Sequence, residues 1–177
     1  MKMYTGKGDG GETDTLGRGR IAKDSAIAIL LGDIDELNSS IGVAVSFMKP
    51  GKLAGTLSEL QNSLFKASAD IASAPNKKVK SISARDIEWL EEETDRISKI
   101  LPKQKKFVIP QGSNASALLH LARAVARRAE RSAVMASRPN SISPEIIAFM
   151  NRVSSLLFAC ALLANKEKRV KESNPSY

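Results

Sequence analysis

The residues best suited to chemistry lie between positions 120 and 131. His120, Arg123, Arg127 and Glu130 recur at spacings of three, four and three. Such spacing puts side chains on one face of a helix. Arg128 and Arg131 flank that face, and Leu118, Ala122, Val125 and Ala129 form a small apolar stripe opposite it. Nearly every basic position in this stretch is arginine rather than lysine. A planar guanidinium grips phosphate or carboxylate at two points, which a lysine ammonium cannot do. A solvated face of mixed charge is the ordinary alternative. His120 alone reads as a surface or core histidine before a ligand. A second cluster is the stretch TGKGDGGETDTLGRG over residues 5–19. Gly6-Lys7-Gly8-Asp9-Gly10-Gly11 formally matches G-x-G-x-x-G, but the dinucleotide fingerprint needs a strand before it and a helix after it. Nor does a Gly-Lys-Ser/Thr close the run as in a P-loop. What survives is a backbone whose N–H groups can approach an anion closely, with Lys7 and Thr13 as further donors. Composition alone favours a flexible terminal arm. Asp35, Glu36 and Asn38 interrupt an otherwise apolar segment. A carboxylate there belongs at the solvent edge unless a cation accompanies it inward. Asn151, beside Arg152, raises the same question.

Several chemistries are excluded. The chain has one cysteine, Cys160, and one histidine, His120. An intrachain disulfide is impossible, and a Cys/His zinc site cannot be built. A ferritin-like di-iron bundle needs Glu-x-x-His pairs, and the residue three before His120 is Ala117. The net charge of +8 gathers in Lys77-Lys78-Val79-Lys80, Lys103-Gln104-Lys105-Lys106 and the stretch Lys166 to Lys171. Such patches attract phosphates. No aromatic residues are interleaved to stack bases, so a specific nucleic-acid partner is not expected. An anionic small molecule suits the charge equally well. The N-terminus lacks the apolar core of a signal peptide, and no uninterrupted apolar run reaches membrane-spanning length. The expectation is a cytoplasmic protein with no membrane partner.

Those residues need elements to hold them, and the 3.6-residue period supplies five helices. The first runs from about Asp24 to Phe47, with Ile27, Leu30, Leu31, Ile34, Leu37 and Ile41 on one stripe. The second runs from about Leu53 to Ala74, where Pro75-Asn76 stops it. The third opens at Ser83 with Asp86 three residues on, a capping box with Asp in place of Glu, and continues to Leu101 before Pro102. The fourth is capped by Ser113 or Asn114 and reaches about Ser137. The fifth begins at Ser143-Pro144, a cap followed by proline at the first helical position, and reaches about Ala164. Short polar connections between long helices predict an all-α, antiparallel five-helix bundle. One domain over residues 1–165 is expected, with a glycine-rich arm over 1–20 and a loose polar tail over 166–177.

Taken in order, YTGKGDGGETDTLGRGRIAKD, GDIDELNSSIG, FVIPQGSNASALLHLARAVARRAER and NRVSSLLF resemble the successive blocks of PduO-type ATP:cob(I)alamin adenosyltransferases. The resemblance extends from Tyr4 to about Phe158. It implies a five-helix bundle assembled as a homotrimer, with active sites between subunits, that moves the adenosyl group of ATP to the cobalt of cob(I)alamin and releases triphosphate. It implies ATP contacts from Thr5, Gly6, Lys7 and Gly8, then Thr13, Asp14 and Lys23. Further contacts would come from Arg127, Arg128, Ala129, Glu130, Arg131 and Asn151. Asp35 and Arg123 match an ion pair across the subunit interface, and Arg127, Arg123 and Asp35 would carry the catalytic role. Phe107 matches an aromatic near the corrin, associated with displacing the lower cobalt ligand. ATP and cobalamin would be substrates, and Mg²⁺ would enter through the ATP phosphates. A cob(II)alamin reductase and a cobalamin-dependent acceptor enzyme are the protein partners this implies. The chain departs from the family pattern at Gln111, where a glycine is usual, at Ala126, where a cysteine is common, and at Ser155, where an aspartate is common.

Overall fold

The computed structural model describes residues 3–73, 80–138 and 142–176. Its helices are α1 (Ala26–Ser46), α2 (Lys52–Ala72), α3 (Ala84–Ser98), α4 (Asn114–Ser137) and α5 (Pro144–Glu167), preceded by strands β1 (Glu12–Asp14) and β2 (Arg20–Ala22). The helical stripes face inward as the sequence pattern requires. Leu30, Leu37, Ile41, Leu57, Leu60 and Leu64 are fully buried. Burying side chains of this size stabilises the fold by roughly 1.5–3 kcal/mol each. The Pro75-Asn76 stop and the Lys77-Lys78-Val79 patch lie outside the described residues.

Caps set the boundaries. Ser25 accepts from the Ala28 N–H and starts α1, and Ser113 accepts from the Ser116 N–H and starts α4. Ser83 and Asp86 do bond at the start of α3: the Ser83 N–H and hydroxyl both donate to Asp86 Oδ2, at 2.8 and 2.6 Å. Helix α3 stops at Ser98, three residues short of the expected Leu101. Pro102 disfavours helical geometry at Leu101. The last residues tighten accordingly, with Ile100 N–H bonded to Ile97 C=O and Leu101 N–H to Ser98 C=O.

Helices alternate in direction along the chain, so α1, α3 and α5 run one way and α2 and α4 the other. Helix α4 packs against α5 and α1, α5 also packs against α3, and α1 packs against α2. Lys66 and Asp86 tie α2 to α3. Five alternating helices in a closed ring must leave one parallel pair of neighbours, and here it is α3 with α5. Arg152 pairs with Glu91 near one end, and Lys166 donates to Ile100 C=O at the other. Helices α3 and α4 are therefore not neighbours. The connection between them, residues 99–113, crosses the C-terminal end of α5.

Two expectations are corrected. The arm is a hairpin, in which Glu12, Thr13 and Asp14 pair with Ala22, Ile21 and Arg20. Arg18 Nε–H donates to Ile71 C=O at 2.8 Å, anchoring the hairpin on α2. The residues after Ala164 do not form a loose tail. Helix α5 continues to Glu167, and the segment beyond folds back along the residue 107–113 connection. Helix α5 is also long and apolar enough to cross a membrane by composition, but most of that stretch is buried inside the bundle. It is a core helix of the bundle.

Candidate active site

A cleft of about 930 Å³ opens where the end of α3, the residue 99–107 connection, α4 and α5 meet. Thr94, Asp95 and Ser98 form its α3 side, Ser154, Ser155 and Phe158 its α5 side, and Arg123 and Arg127 its α4 wall. Phe107 stands at the rim, 78% exposed. A second hollow, of about 490 Å³, shares Phe107, Arg123 and Phe158 and adds Lys105, Lys106 and Val108. The combination is an apolar, aromatic floor beside concentrated positive charge.

Helix α4 builds the charged wall because it is buried on two sides. Ala122, Ala126 and Ala129 are fully buried, and these small side chains let α1 and α5 approach closely. Ala129, expected to contact ATP, is thus a core position. Its neighbours divide by direction. Arg128 turns to α1: its Nε–H donates to Asp33 Oδ1 at 2.9 Å and its Nη2 to Glu36 Oε2. The Ser132 hydroxyl donates to the other Asp33 oxygen. Both carboxylates raise the Arg128 pKa. Arg127 turns to the cleft instead, and no carboxylate among the described residues lies within ion-pair distance of Arg123 or Arg127. Arg123 Nε is buried without a hydrogen-bond acceptor. A buried, unanswered donor of a permanent cation is costly unless something else meets it. Arg131 is exposed, and its Nη1 donates to Arg127 C=O at 3.0 Å.

Glu130 and Asn151 meet across the α4–α5 seam. Asn151 Nδ2 donates to Glu130 Oε1 at 2.8 Å, and Arg152 Nη1 donates to Asn151 Oδ1 at 2.8 Å. His120 leaves the charged face that its spacing suggests. It is 2% exposed, tilts against Phe158 with ring centroids 5.9 Å apart, and neither ring nitrogen has a partner. Burial, and secondly the charge of Arg123, lower its pKa below 6.5.

The arm residues gather separately. Lys23 Nζ donates to Gly8 C=O at 2.8 Å, and Arg20 Nη2 donates to Lys7 C=O at 2.7 Å. A side chain at position 8 would press on the Lys23 ammonium. The exposed Thr5 and Gly6 lead into this turn, and Thr5 Oγ1 accepts from the Lys7 N–H. Thr13 is half-buried in β1, and Asp14 lies 3.6 Å from Arg20. Asp35 is exposed on the surface of α1. The acid that α1 turns inward is Asp33, which sequence reasoning passed over. Among the described residues, no three His, Cys, Asp or Glu side chains converge as a metal cluster.

A sequence model described as cobalamin adenosyltransferase matches residues 3–164. The chain belongs to that family. The corrinoid adenosyltransferase of Mycobacterium leprae (strain TN) is 40% identical, with 93% of this chain and 91% of that protein covered. That of Bacillus subtilis (strain 168) is 37% identical, over 93% of this chain and 87% of its own length. Among solved structures, a phenylalanine-to-alanine variant of the PduO-type ATP:corrinoid adenosyltransferase from Lactobacillus reuteri, complexed with cobalamin and ATP, superposes with a TM-score of 0.93. It is 31% identical, over 99% of this chain and 100% of that one. An arginine-to-lysine variant from the same organism, complexed with ATP, superposes with a TM-score of 0.91 at 32% identity, over 98% of this chain and 100% of that one. This chain is accordingly a transferase with the adenosyltransferase bundle. Beside the family's expected positions, the fold adds Asp33 and Ser132, which hold Arg128, and Asn165, which meets the Phe107 connection. Asp33 resembles Asp35 and Glu36 in sequence, and only the rotation of α1 distinguishes them.

Proposed function

We propose that the chain transfers the 5′-deoxyadenosyl group of ATP to the cobalt of cob(I)alamin, forming adenosylcobalamin and releasing triphosphate. The observation that carries this reading is the cleft itself: two arginines that form no ion pair among the described residues, beside two aromatic rings. In the transfer, Co(I) supplies the electron pair for the new Co–C5′ bond. The C5′–O bond breaks, and its pair leaves on the triphosphate. Cobalt is the nucleophile, so the protein needs no activated serine, cysteine or histidine. Its task is to place the reactants in line and to meet the charge that leaves. The Arg127 guanidinium, free of internal partners, would grip phosphate oxygens. Lys7, Lys23 and the arm backbone near Thr5, Gly6 and Gly8 would supply further donors, with Thr13, Asp14, Glu130, Arg131 and Asn151 lining the nucleotide. Such donor groups suit a Mg²⁺ held by the phosphate oxygens rather than by a protein cage. Phe107, exposed at the rim, would lie against the corrin and displace its lower ligand. An apolar floor would keep water from Co(I).

The arm is anchored on α2, whereas Arg123 and Arg127 face the α3–α5 cleft. A site that uses both is completed between subunits, which supports a homotrimer. Exposed Ile29 and Val43 on α1, and Leu121, Val134 and Met135 on α4, offer the apolar surface for it. Asp35, exposed on α1, would meet the Arg123 of a neighbour. The setting is the cytoplasm, with a cob(II)alamin reductase upstream and a cobalamin-dependent enzyme downstream.

Incubation with ATP, Mg²⁺ and chemically reduced cobalamin tests the reading. The corrin spectrum should change to that of a light-sensitive Co–C bond. A spectrum that stays at Co(I) and drifts to Co(II) would rule the reading out.

A further inference from the structure

The connection that carries Phe107 is fastened at alternate residues. The Phe107 C=O accepts from Asn174 Nδ2 at 2.7 Å, and the Ile109 N–H donates to Ser173 C=O at 2.8 Å. The Gln111 C=O accepts from Asn165 Nδ2 at 3.1 Å, and the Ser113 N–H donates to Asn165 Oδ1 at 2.9 Å. Positions 107, 109, 111 and 113 thus present their backbone groups to one side, as an extended strand does to a neighbour. The neighbour is the end of α5 and the segment after it.

Asn165 is the hub. It is fully buried, and every polar atom of its carboxamide is used, since Nδ2 also donates to Glu172 Oε1 at 3.1 Å. Its own C=O accepts from the Val170 N–H at 2.9 Å and turns the chain back. Gly112 lies directly on this carboxamide. A Cβ there would overlap it, and φ at Gly112 is +127°, so glycine is required on both counts. The family departure at Gln111 leaves this clamp in place. Only the Gln111 backbone carbonyl is used, and its side chain is exposed.

Helix α5 itself lines the cleft through Ser154, Phe158 and Leu162. One rigid element therefore forms the floor and holds the rim residue. We infer that Asn165 and the segment Val170–Asn174 are positioning residues for Phe107: they clamp the residue 107–113 connection to α5 and so fix the aromatic ring against the corrin. The inference rests on the proposed corrin role of Phe107. It gives the C-terminal segment a function in the corrin half of the reaction and none in the nucleotide half. The residues that would contact ATP lie on the arm and at other turns of α4 and α5.

The test uses the full chain, a truncation ending at Arg169, and Asn174→Asp, which keeps the size of an exposed side chain but removes the donor to Phe107. Amide exchange first reports the clamp without any substrate. The Ile109 N–H should be protected in the full chain and exchange freely in the truncation. Steady-state kinetics then separate the two substrates. The truncation should raise the corrinoid KM or lower kcat by about fivefold or more, the size of one or two lost hydrogen bonds, while the KM for ATP and the thermal midpoint stay near those of the full chain. Asn174→Asp should shift the same corrinoid parameter in the same direction. Equal losses for ATP and corrinoid would mean a general structural role and would overturn the inference. So would unchanged corrinoid kinetics with a freely exchanging Ile109 amide. Failure of the full chain to form a Co–C bond would instead strike the functional reading beneath it.

Discussion

Arg127 and Arg128 are adjacent in sequence and face different worlds. One residue of an α-helix is a rotation of about 100°. That rotation gives Arg128 to Asp33 and Glu36 on α1, and turns Arg127 to a cleft where it makes no ion pair with any described residue. The first region is a closed network in which donors and acceptors answer each other within the chain. The second leaves the Arg127 cation without an ion pair, and the buried Nε of Arg123 without an acceptor, among the described residues. A charge cluster alone therefore does not mark a site. Function lies with the charges that the protein's own acids leave unanswered.

The strongest way to break this comparison is to remove the partner of the open region. Deleting residues 1–14 takes away the Gly8 and Lys7 turn and strand β1, while α1–α5 keep their core. ATP binding should be abolished with helix content preserved. Calorimetric titration and circular dichroism read the two together. Unchanged ATP affinity would mean that the cleft arginines hold the nucleotide unaided.

Next in size is the pairing of Asp35 with Arg123 across subunits. Stranding one buried charge costs about 3–5 kcal/mol, so Asp35→Ala and Arg123→Ala should each weaken trimer assembly or corrin binding. The double variant should be less impaired than the sum of both, because neither charge is then stranded. Trimer dissociation and kcat/KM measured around the cycle give the coupling. Additivity within about 0.5 kcal/mol would show that the two residues do not touch.

The closed region should respond in stability rather than chemistry. Asp33→Asn weakens a charge-assisted bond to Arg128 and a bond to Ser132. Arg128 is 42% exposed, which discounts the loss to about 1–2 kcal/mol. A drop of about 2–6 °C in the melting midpoint is expected for a domain of this size. A midpoint equal to that of the wild type would show that the seam is decorative.

The smallest effect is the pH dependence from His120. Burial lowers its folded pKa below 6.5, so the folded state holds it neutral while the unfolded chain takes up a proton. Its contribution to stability is complete above about pH 6.5 and declines as the pH falls below that value. The carboxylates of Glu93 and Asp86, whose pKa values are lowered, act only further down. Arg96 holds Glu93 low, and Lys66 and Ser83 outweigh burial at Asp86. Melting midpoints between pH 7 and pH 5 should fall less steeply in His120→Phe than in the wild type. Identical slopes would contradict a buried neutral imidazole.

Much of the bundle was legible in sequence because each stripe repeats over many turns. Leu30, Ile34, Leu37 and Ile41 announce α1 four times over. The arm hairpin was not legible. Three-residue strands are too short to show a period, and what holds them is an ion pair, Arg20 with Glu12, and a charge on backbone, Lys23 on Gly8 C=O. Asp33 was missed because three acids crowd four positions of α1 and only helix rotation selects among them. His120 was placed on the charged face by its spacing. Packing of α4 on two sides draws that end of the face inward, against Phe158. The C-terminal clamp left no signal either, since a buried Asn165 looks like any polar residue near a helix end. Contacts that depend on how elements dock are invisible to periodicity, and the site is made mostly of these.

The central claim is that Arg127 serves the ligand and Arg128 serves the fold. It is tested most directly by single-turnover adenosylation with Arg127→Lys and Arg128→Lys side by side. A lysine keeps the charge at both positions and loses the two-point grip. The account predicts at least about a tenfold loss in kcat/KM for Arg127→Lys, the worth of one charge-assisted hydrogen bond to the triphosphate, with an unchanged melting midpoint. Arg128→Lys should show the smaller kinetic loss and the larger drop in midpoint. The reverse order would contradict the assignment of both residues.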